Sequence, residues 1–231
     1  MLISVIIPTY NEANNIGKLL ERLRQMPSDV NTEIIVVDGE SADETMNIAK
    51  TFGVEVYKSP RKGRAAQMNF GVKQSKGQVL QFIHADTLPP LSNFKYIQNA
   101  IETGFSVGCF TYCFDSKHPL LRINSFFTRF DKIWCRGGDQ AIFVTRKAFD
   151  EVGGYRDDYL IMEDFDFIKK IQAKFPFKIV KNNCIVSARK YQNNSYLKVQ
   201  LANLKIFRMY DEGASQELMA ETYQKLLKKW D

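Results

Sequence analysis

The sequence contains no apolar run approaching the roughly 20 residues that a membrane-crossing helix needs, which argues against an integral helical membrane protein. Its four cysteines, Cys109, Cys113, Cys135 and Cys184, lack C-x-x-C spacing, so they suggest neither a zinc site nor a disulfide framework. Buried free thiols are the simpler expectation. No G-x-G-x-x-G follows a strand pattern, which disfavours a dinucleotide dehydrogenase. The segment PTYNEANN after the first strand is not the long glycine-rich phosphate loop expected of a nucleotidyltransferase that makes nucleotide-sugars. Internal repeats, low-complexity tracts and a Gly/Ser-rich linker are also missing. The opening MLISVIIPTY carries no basic n-region, so a mature, cytoplasmic chain is expected.

What is present is ordinary globular material: 231 residues, 45% hydrophobic and 25% charged, enough for one domain or two fused halves. The net charge of +6 suits a phosphorylated substrate, an anionic membrane surface or nucleic acid, and does not choose among them.

Periodicity gives the order of elements. Leu2 to Ile7 read as a strand, followed by Ile16, Leu19, Leu20, Leu23 and Met26 at helical spacing. Glu33 to Val37 form a second strand ending at Asp38, and Ser41 with Glu44 reads as a capping box that opens a helix through Phe52. Val54 to Tyr57 predict a third strand, SPRKGR a basic turn, and Ala65, Met68 and Val72 the stripe of a third helix. Val79 to Ile83 predict a fourth strand closed by HADTLPP. Strands alternating with helices imply a mostly parallel sheet, with Pro8, Asp38 and Asp86 on one rim. Past Phe105 the pattern changes to a strand, an aromatic stretch, a GGDQAIFV strand, an acidic helix, another strand and two C-terminal helices. A single domain of residues 1–231 is expected, with halves 1–104 and 105–231.

Several polar groups stand at chemically suggestive places. Asp38, at a strand's carboxyl end, can accept a hydrogen bond from a base N–H or a ribose hydroxyl, or can cap the turn that follows. Arg61, Lys62 and Arg64 surround Gly63 at a helix start, where a diphosphate is a plausible guest; a solvated basic turn is the alternative. Glu163 and Asp164 open a helix, and neighbours there point about 100° apart, so both cannot aim at one atom.

In order along the chain, VIIPTYNEANNI, IIVVDGESADET, KGRAAQMNFG, FIHADT, GDQAIFV and MEDFDF resemble the motifs of family 2 glycosyltransferases with the A-type fold. HADT, GDQ and SARK are similar to a bacterial branch associated with arsenosugar biosynthesis. The resemblance implies a Rossmann-like nucleotide-binding half, a mixed but mostly parallel sheet flanked by helices, and C-terminal helices. It implies an inverting transfer of sugar from a UDP- or GDP-linked donor to a hydroxyl of a sugar, lipid-linked or small-molecule acceptor. The loop from Pro8 through Tyr10 and Asn11 to Glu12 would cradle the base, with Glu12 contacting the nucleoside or ordering the loop; Asp38 would contact the nucleoside, and Arg64 would face the nucleotide. His84-Ala85-Asp86 stands at the family's Asp-x-Asp position, with Asp86 the expected ligand of Mn²⁺ or Mg²⁺ and His84 either a nitrogen ligand or a hydrogen-bonded strand-end histidine. Asp164 would be the base, oriented by Glu163; Asp139 and Gln140 would contact sugar or acceptor, and Arg189 with Lys190 would reach the diphosphate.

Gly39 replaces an aspartate common in relatives, which leaves the base undefined. The amphipathic stretch from His118 to Phe130 reads either as core or, with the C-terminal KLLKKW, as a peripheral contact with the inner face of an anionic membrane. A non-catalytic module binding nucleic acid or an anionic surface remains the competing class, although no nucleic-acid partner is expected and HADT and the ED helix would be unexplained by it.

Overall fold

The computed structural model describes residues 1–27 and 29–228. The chain forms β1 (Leu2–Thr9), α1 (Ala13–Arg24), β2 (Asn31–Asp38), α2 (Thr45–Thr51), β3 (Glu55–Lys58), α3 (Arg64–Gln74) and β4 (Val79–Phe82). It continues through β5 (Thr87–Leu88), α4 (Asn93–Glu102), β6 (Val107–Phe114), α5 (Pro119–Phe127), β7 (Phe143–Thr145) and α6 (Arg146–Glu151). The remainder is α7 (Glu163–Gln172), β8 (Phe177–Val186), α8 (Tyr196–Asp211) and α9 (Gln216–Leu226). No helix among the described residues is long and apolar enough to cross a membrane.

Among the described residues, the eight strands join one sheet in the order β3-β2-β1-β4-β7-β6-β8-β5. β1 runs parallel to β2 and β4, β2 to β3, and β6 to β8, while β7 lies antiparallel between β4 and β6. The sheet is thus mixed, with the parallel strands β3, β2, β1 and β4 at one side. Alternation along β1 sends Ile3, Val5 and Ile7 to the face covered by Leu19 of α1 and Ile97 of α4, and Ile6 to the face covered by Met68 of α3 and Phe167 of α7. Burial on both faces explains why the central strands read as continuous apolar runs.

Three expectations need correction. Ser41 is not a helix cap: α2 begins at Thr45 behind Glu44, with no side-chain cap, while Ser41 Oγ accepts from the Asn11 amide and its hydroxyl donates to Asp38. Residues 138–140 of the GGDQAIFV segment form a 3₁₀ turn, and only Phe143–Thr145 pair as a strand. In α5 only Leu121 is buried, so core packing does not account for its aromatic residues. Lys229 and Trp230 of KLLKKW lie outside the described residues.

β6 carries the sheet from one half to the other, with β7 on one side and β8 on the other. Gly108 makes this close approach feasible, because a Cβ there would overlap the Lys178 carbonyl oxygen and come within 2.5 Å of Phe143 Cζ. Gly108→Ala is expected to destabilise the fold by about 1–3 kcal/mol, as overpacking does, measured as a lower urea midpoint at unchanged m-value.

Candidate functional site

The parallel register brings the carboxyl ends of β1, β2 and β4 to one edge, where Thr9 pairs with Asp38 across the ladder. The segments that leave this edge, together with the second half, enclose a cavity of about 690 Å³. Pro8, Tyr10, Glu12, Arg64, His84 and Asp86 line it from the first half. Asp139, Arg189 and Lys190 line it from the second, as do residues for which the sequence carried no sign: Tyr112, Trp134, Asn203 and Phe207. These last stand on β6, α8 and a 3₁₀ turn. Nothing in a linear pattern ties residue 203 to residue 10.

Arg189 closes one side. Its guanidinium holds Glu12 through two hydrogen bonds, Nη1 to Oε2 at 3.0 Å and Nη2 to Oε1 at 2.5 Å. Nη2 also lies 3.1 Å from Asp86 Oδ2. Burial opposes the charge on Arg189, and Glu12 and Asp86 outweigh it, so its pKa is raised. Glu12 is therefore an anchor between the first βα loop and residue 189, a geometry that gives it the loop-ordering option rather than an open contact surface. The same loop is laced to its neighbour: the Asn11 amide donates to Ser41 Oγ at 2.8 Å, and the Glu12 amide to Thr45 Oγ1 at 2.7 Å.

The opposite wall is built on His84. Nδ1 lies 3.2 Å from Asp139 Oδ1, and Nε2 lies 3.8 Å from Asp164 Oδ2. Burial works against the imidazolium, yet the Asp139 hydrogen bond and the Asp164 charge raise the pKa of His84 overall. The Asp139 side chain is about half exposed; desolvation is overcome by its hydrogen bond to His84 and by nearby cations, and its pKa falls to about 2. Asp164 goes the other way, because burial and the adjoining Glu163 charge push it up to about 6. Glu163 points elsewhere, with Oε1 3.3 Å from Arg64 Nε. The Glu163 charge leads the causes that raise the Arg64 pKa. Gly138 lets these groups meet, since a Cβ would overlap Asp164 Oδ2 and come within 2.6 Å of His84 Nε2.

Gly63 sets up the entry to α3. Its φ of +114° is open to glycine and strained for any side chain, and it delivers Arg64 to the first helical position.

Other expected contacts are overturned. Asp38 is fully buried and outside the cavity lining; Oδ1 accepts from Ser41 Oγ at 2.5 Å and Thr9 Oγ1 at 3.2 Å, and Oδ2 from the Ser41 amide at 2.8 Å. It caps the turn rather than presenting a carboxylate to a nucleoside. Gln140 is also fully buried, its Oε1 turned to the Gly137 amide and Arg136 Nη1 at 3.2 Å, so it does not face sugar or acceptor. His84 makes the hydrogen bond of a strand-end histidine through Nδ1 to Asp139, while Nε2 lies 3.8 Å from Asp164 Oδ2, beyond hydrogen-bond reach. Arg61 and Lys62 are exposed, pairing with Asp157 and Glu40 as a solvated turn does. Asp164 sits behind Gly138 and His84 rather than on the lining itself.

Among the described residues no group of three or more His, Cys, Asp or Glu side chains has the geometry of a metal cage. Asp86 is the one carboxylate at the strand tip that faces the cavity, and burial together with the Asp139 charge raises its pKa. Arg189 already offsets part of that charge, and a divalent cation would add to it. Asp86 therefore fits a metal whose remaining ligands are waters and phosphate oxygens, a common arrangement for Mg²⁺.

Residues 4–155 match the family model described as glycosyl transferase family 2. A dolichol-phosphate mannosyltransferase of Pyrococcus furiosus is 32% identical over 112 residues, covering 46% of this chain; the chain spans only 32% of that relative's length. Among solved structures, S. aureus TarS 1-349 in complex with UDP-GlcNAc aligns at a TM-score of 0.69 and 17% identity over 98% of this chain and 71% of that one. The mannosyltransferase PcManGT from Pyrobaculum calidifontis, in complex with GDP-Man and Mn²⁺, aligns at 0.68 and 19% over 97% of this chain and 69% of that one. Both have the fold described above.

Protonation provides a test of the buried acids. The folded chain keeps a proton on Asp164 up to about pH 6, whereas an ordinary aspartate loses it near 3.8, so stability falls as pH rises through that window. Asp164→Asn removes the ionisation. The variant is expected to gain on the native chain between about pH 4 and pH 7, by on the order of 1–3 kcal/mol, in urea titrations across that range. A deficit independent of pH would contradict it.

Proposed function

Since the chain belongs to glycosyl transferase family 2, we propose that it transfers a sugar from a UDP- or GDP-linked donor to an acceptor hydroxyl, inverting the anomeric centre in one displacement. The observation that carries this reading is a cavity with a cation-bearing wall whose His84 is backed by Asp164, an acid with a pKa in the range of a working base. Arg64, Arg189 and Lys190 supply positive charge for a diphosphate. Solved neighbours bound to UDP-GlcNAc and to GDP-Man support a nucleotide-sugar donor without selecting the base.

In the displacement, the acceptor oxygen bonds to the anomeric carbon as the bond from that carbon to the phosphate oxygen breaks. The acceptor proton passes to the Asp164 carboxylate, which is ionised at neutral pH against His84. Glu163 holds Arg64 in place, and Asp139 fixes the ring of His84 through Nδ1. The negative charge leaves with the nucleoside diphosphate toward the basic wall. Asp86 would hold Mn²⁺ or Mg²⁺, which when bound supplies Lewis-acid stabilisation of the departing phosphates. The Mn²⁺ of the PcManGT complex supports this choice of cofactor.

Pro8 and Tyr10 are the groups left to meet the base, now that Asp38 is turned away. Acceptor contacts fall to Asp139 and the aromatic wall of Tyr112 and Trp134. The HADT, GDQ and SARK pieces make an arsenosugar-type acceptor worth including among the sugar hydroxyls offered.

Two substitutions test the assignment. Asp164→Asn is expected to keep donor affinity, read by calorimetry with UDP- and GDP-sugars, and to lose transfer by ~10²- to 10⁴-fold. Asp86→Ala is expected to abolish the gain in nucleotide affinity that Mn²⁺ produces. Normal transfer by the first, or an undiminished Mn²⁺ effect in the second, would remove the corresponding role.

A further inference from the structure

The exposed faces of α5 and α8 flank the mouth of the cavity. Phe127 of α5 and Leu204 and Phe207 of α8 line the cavity, and Tyr196 Oη donates to Asn124 Oδ1 at 2.7 Å to tie the two helices together. Outside that lining the apolar side chains continue into solvent: Phe126 is 55% exposed, Leu197 68% and Leu201 65%. At about 100° per residue, Ile123, Phe126 and Phe127 fall on one arc of roughly 100°, opposite the buried Leu121, and Phe130, past the end of the helix, packs its ring 5.5 Å from that of Phe126. On α8, Leu197, Leu201 and Leu204 form a second stripe, opposite the buried Val199, Ala202 and Ile206.

The charges beside these stripes are mostly positive, with Asp131, which accepts from Gln172, at one end of the aromatic cluster. Arg122 and Arg129 border the aromatic arc, and Lys198, Lys205 and Arg208 accompany the leucines; all five are exposed. No Asp or Glu occurs between Pro119 and Phe130, and in α8 the sole acid is its last residue, Asp211. An apolar stripe edged by cations is the pattern of a helix lying in a bilayer interface, with rings and leucines among the acyl chains and basic heads at anionic phosphates. A second copy of the same face would set these cations against one another.

We propose that the joined faces of α5 and α8 dock on an anionic lipid bilayer, which holds the cavity mouth at the headgroup layer. The docking stands on the surface itself; its purpose, bringing a membrane-borne acceptor to the cavity, rests on the transferase reading above.

The test uses the purified chain with vesicles of phosphatidylcholine alone or mixed with phosphatidylglycerol, read by co-sedimentation. Binding is expected to the mixed vesicles, weakened by salt, and Phe126→Asp with Leu201→Asp should lower the partition coefficient by at least about tenfold. A variant with Arg122, Arg129 and Lys198 changed to Gln, which leaves the apolar stripes intact, should lose the preference for phosphatidylglycerol. Equal binding to both vesicle types, no binding, or undiminished binding by the variants would overturn the proposal. So would a native dimer that Phe126→Asp splits, because the face would then belong to a second copy. UDP and GDP affinity measured without vesicles reports on the cavity separately: its absence counts against the transferase reading and leaves the docking result standing.

Discussion

Arg189 is the side chain on which the cavity depends. It reaches across 177 residues of sequence to Glu12 and touches Asp86 in the same grip. Glu12, Asp86, Asp139, Glu163 and Asp164 bring five acids into one partly buried region, and Arg64, His84 and Arg189 are the cations interleaved with them. Removing one member leaves a desolvated partner uncompensated, which is strongly destabilising even where the intact pair is near neutral in worth. The network is thus better understood as holding several acids at different protonation levels than as a source of stability. Asp139 falls to about 2 while Asp164 rises to about 6, although both face the same imidazole.

Backbone strain collects around the same region. The non-glycine residues with positive φ among those described are Asn11, Glu40, Ala141 and Met162. Asn11 precedes the anchored Glu12, Ala141 follows the turn that carries Asp139, and Met162 stands immediately before Glu163. Left-handed conformations at such residues cost of order 1–3 kcal/mol and persist only where surrounding contacts over-determine them. The lacing of Asn11 to Ser41 and Ala42 is one such set of contacts.

How far this was legible from residues alone follows from the range of each interaction. The βα units of the first half emerge from local periodicity, because each strand and helix buries its own apolar face. Asp86, Arg64 and the ED helix could be picked out by motif and by their places at element ends. Asp38 and Gln140 could not be judged that way: each is polar, suitably placed and turned inward, and only Ser41 and Arg136, supplied by folding, reveal it. The capping-box reading of Ser41 failed for the same reason, since its oxygen accepts from the distant Asn11 amide rather than from a helix N–H. His84 could be read as a ligand or as a hydrogen-bonded histidine, and the bond from Nδ1 to Asp139 is visible only after folding. The aromatic wall has no linear signature, because periodicity distinguishes an amphipathic helix but not whether its apolar face meets protein or something else.

The placement of β7 has a consequence for the order in which this molecule can assemble. Residues 143–145 lie in the sheet between strands contributed by residues 79–82 and 107–114, and β8 is needed to flank the latter. Long-range pairings of this kind require large loops to close before any contact rewards them, and they form slowly. On a ribosome, the first four strands would emerge able to adopt their local structure while Arg189 was still unsynthesised. The acids of the nascent first half would meanwhile lack their distant counter-charge, so the pocket is completed late, by the same segment that seals it.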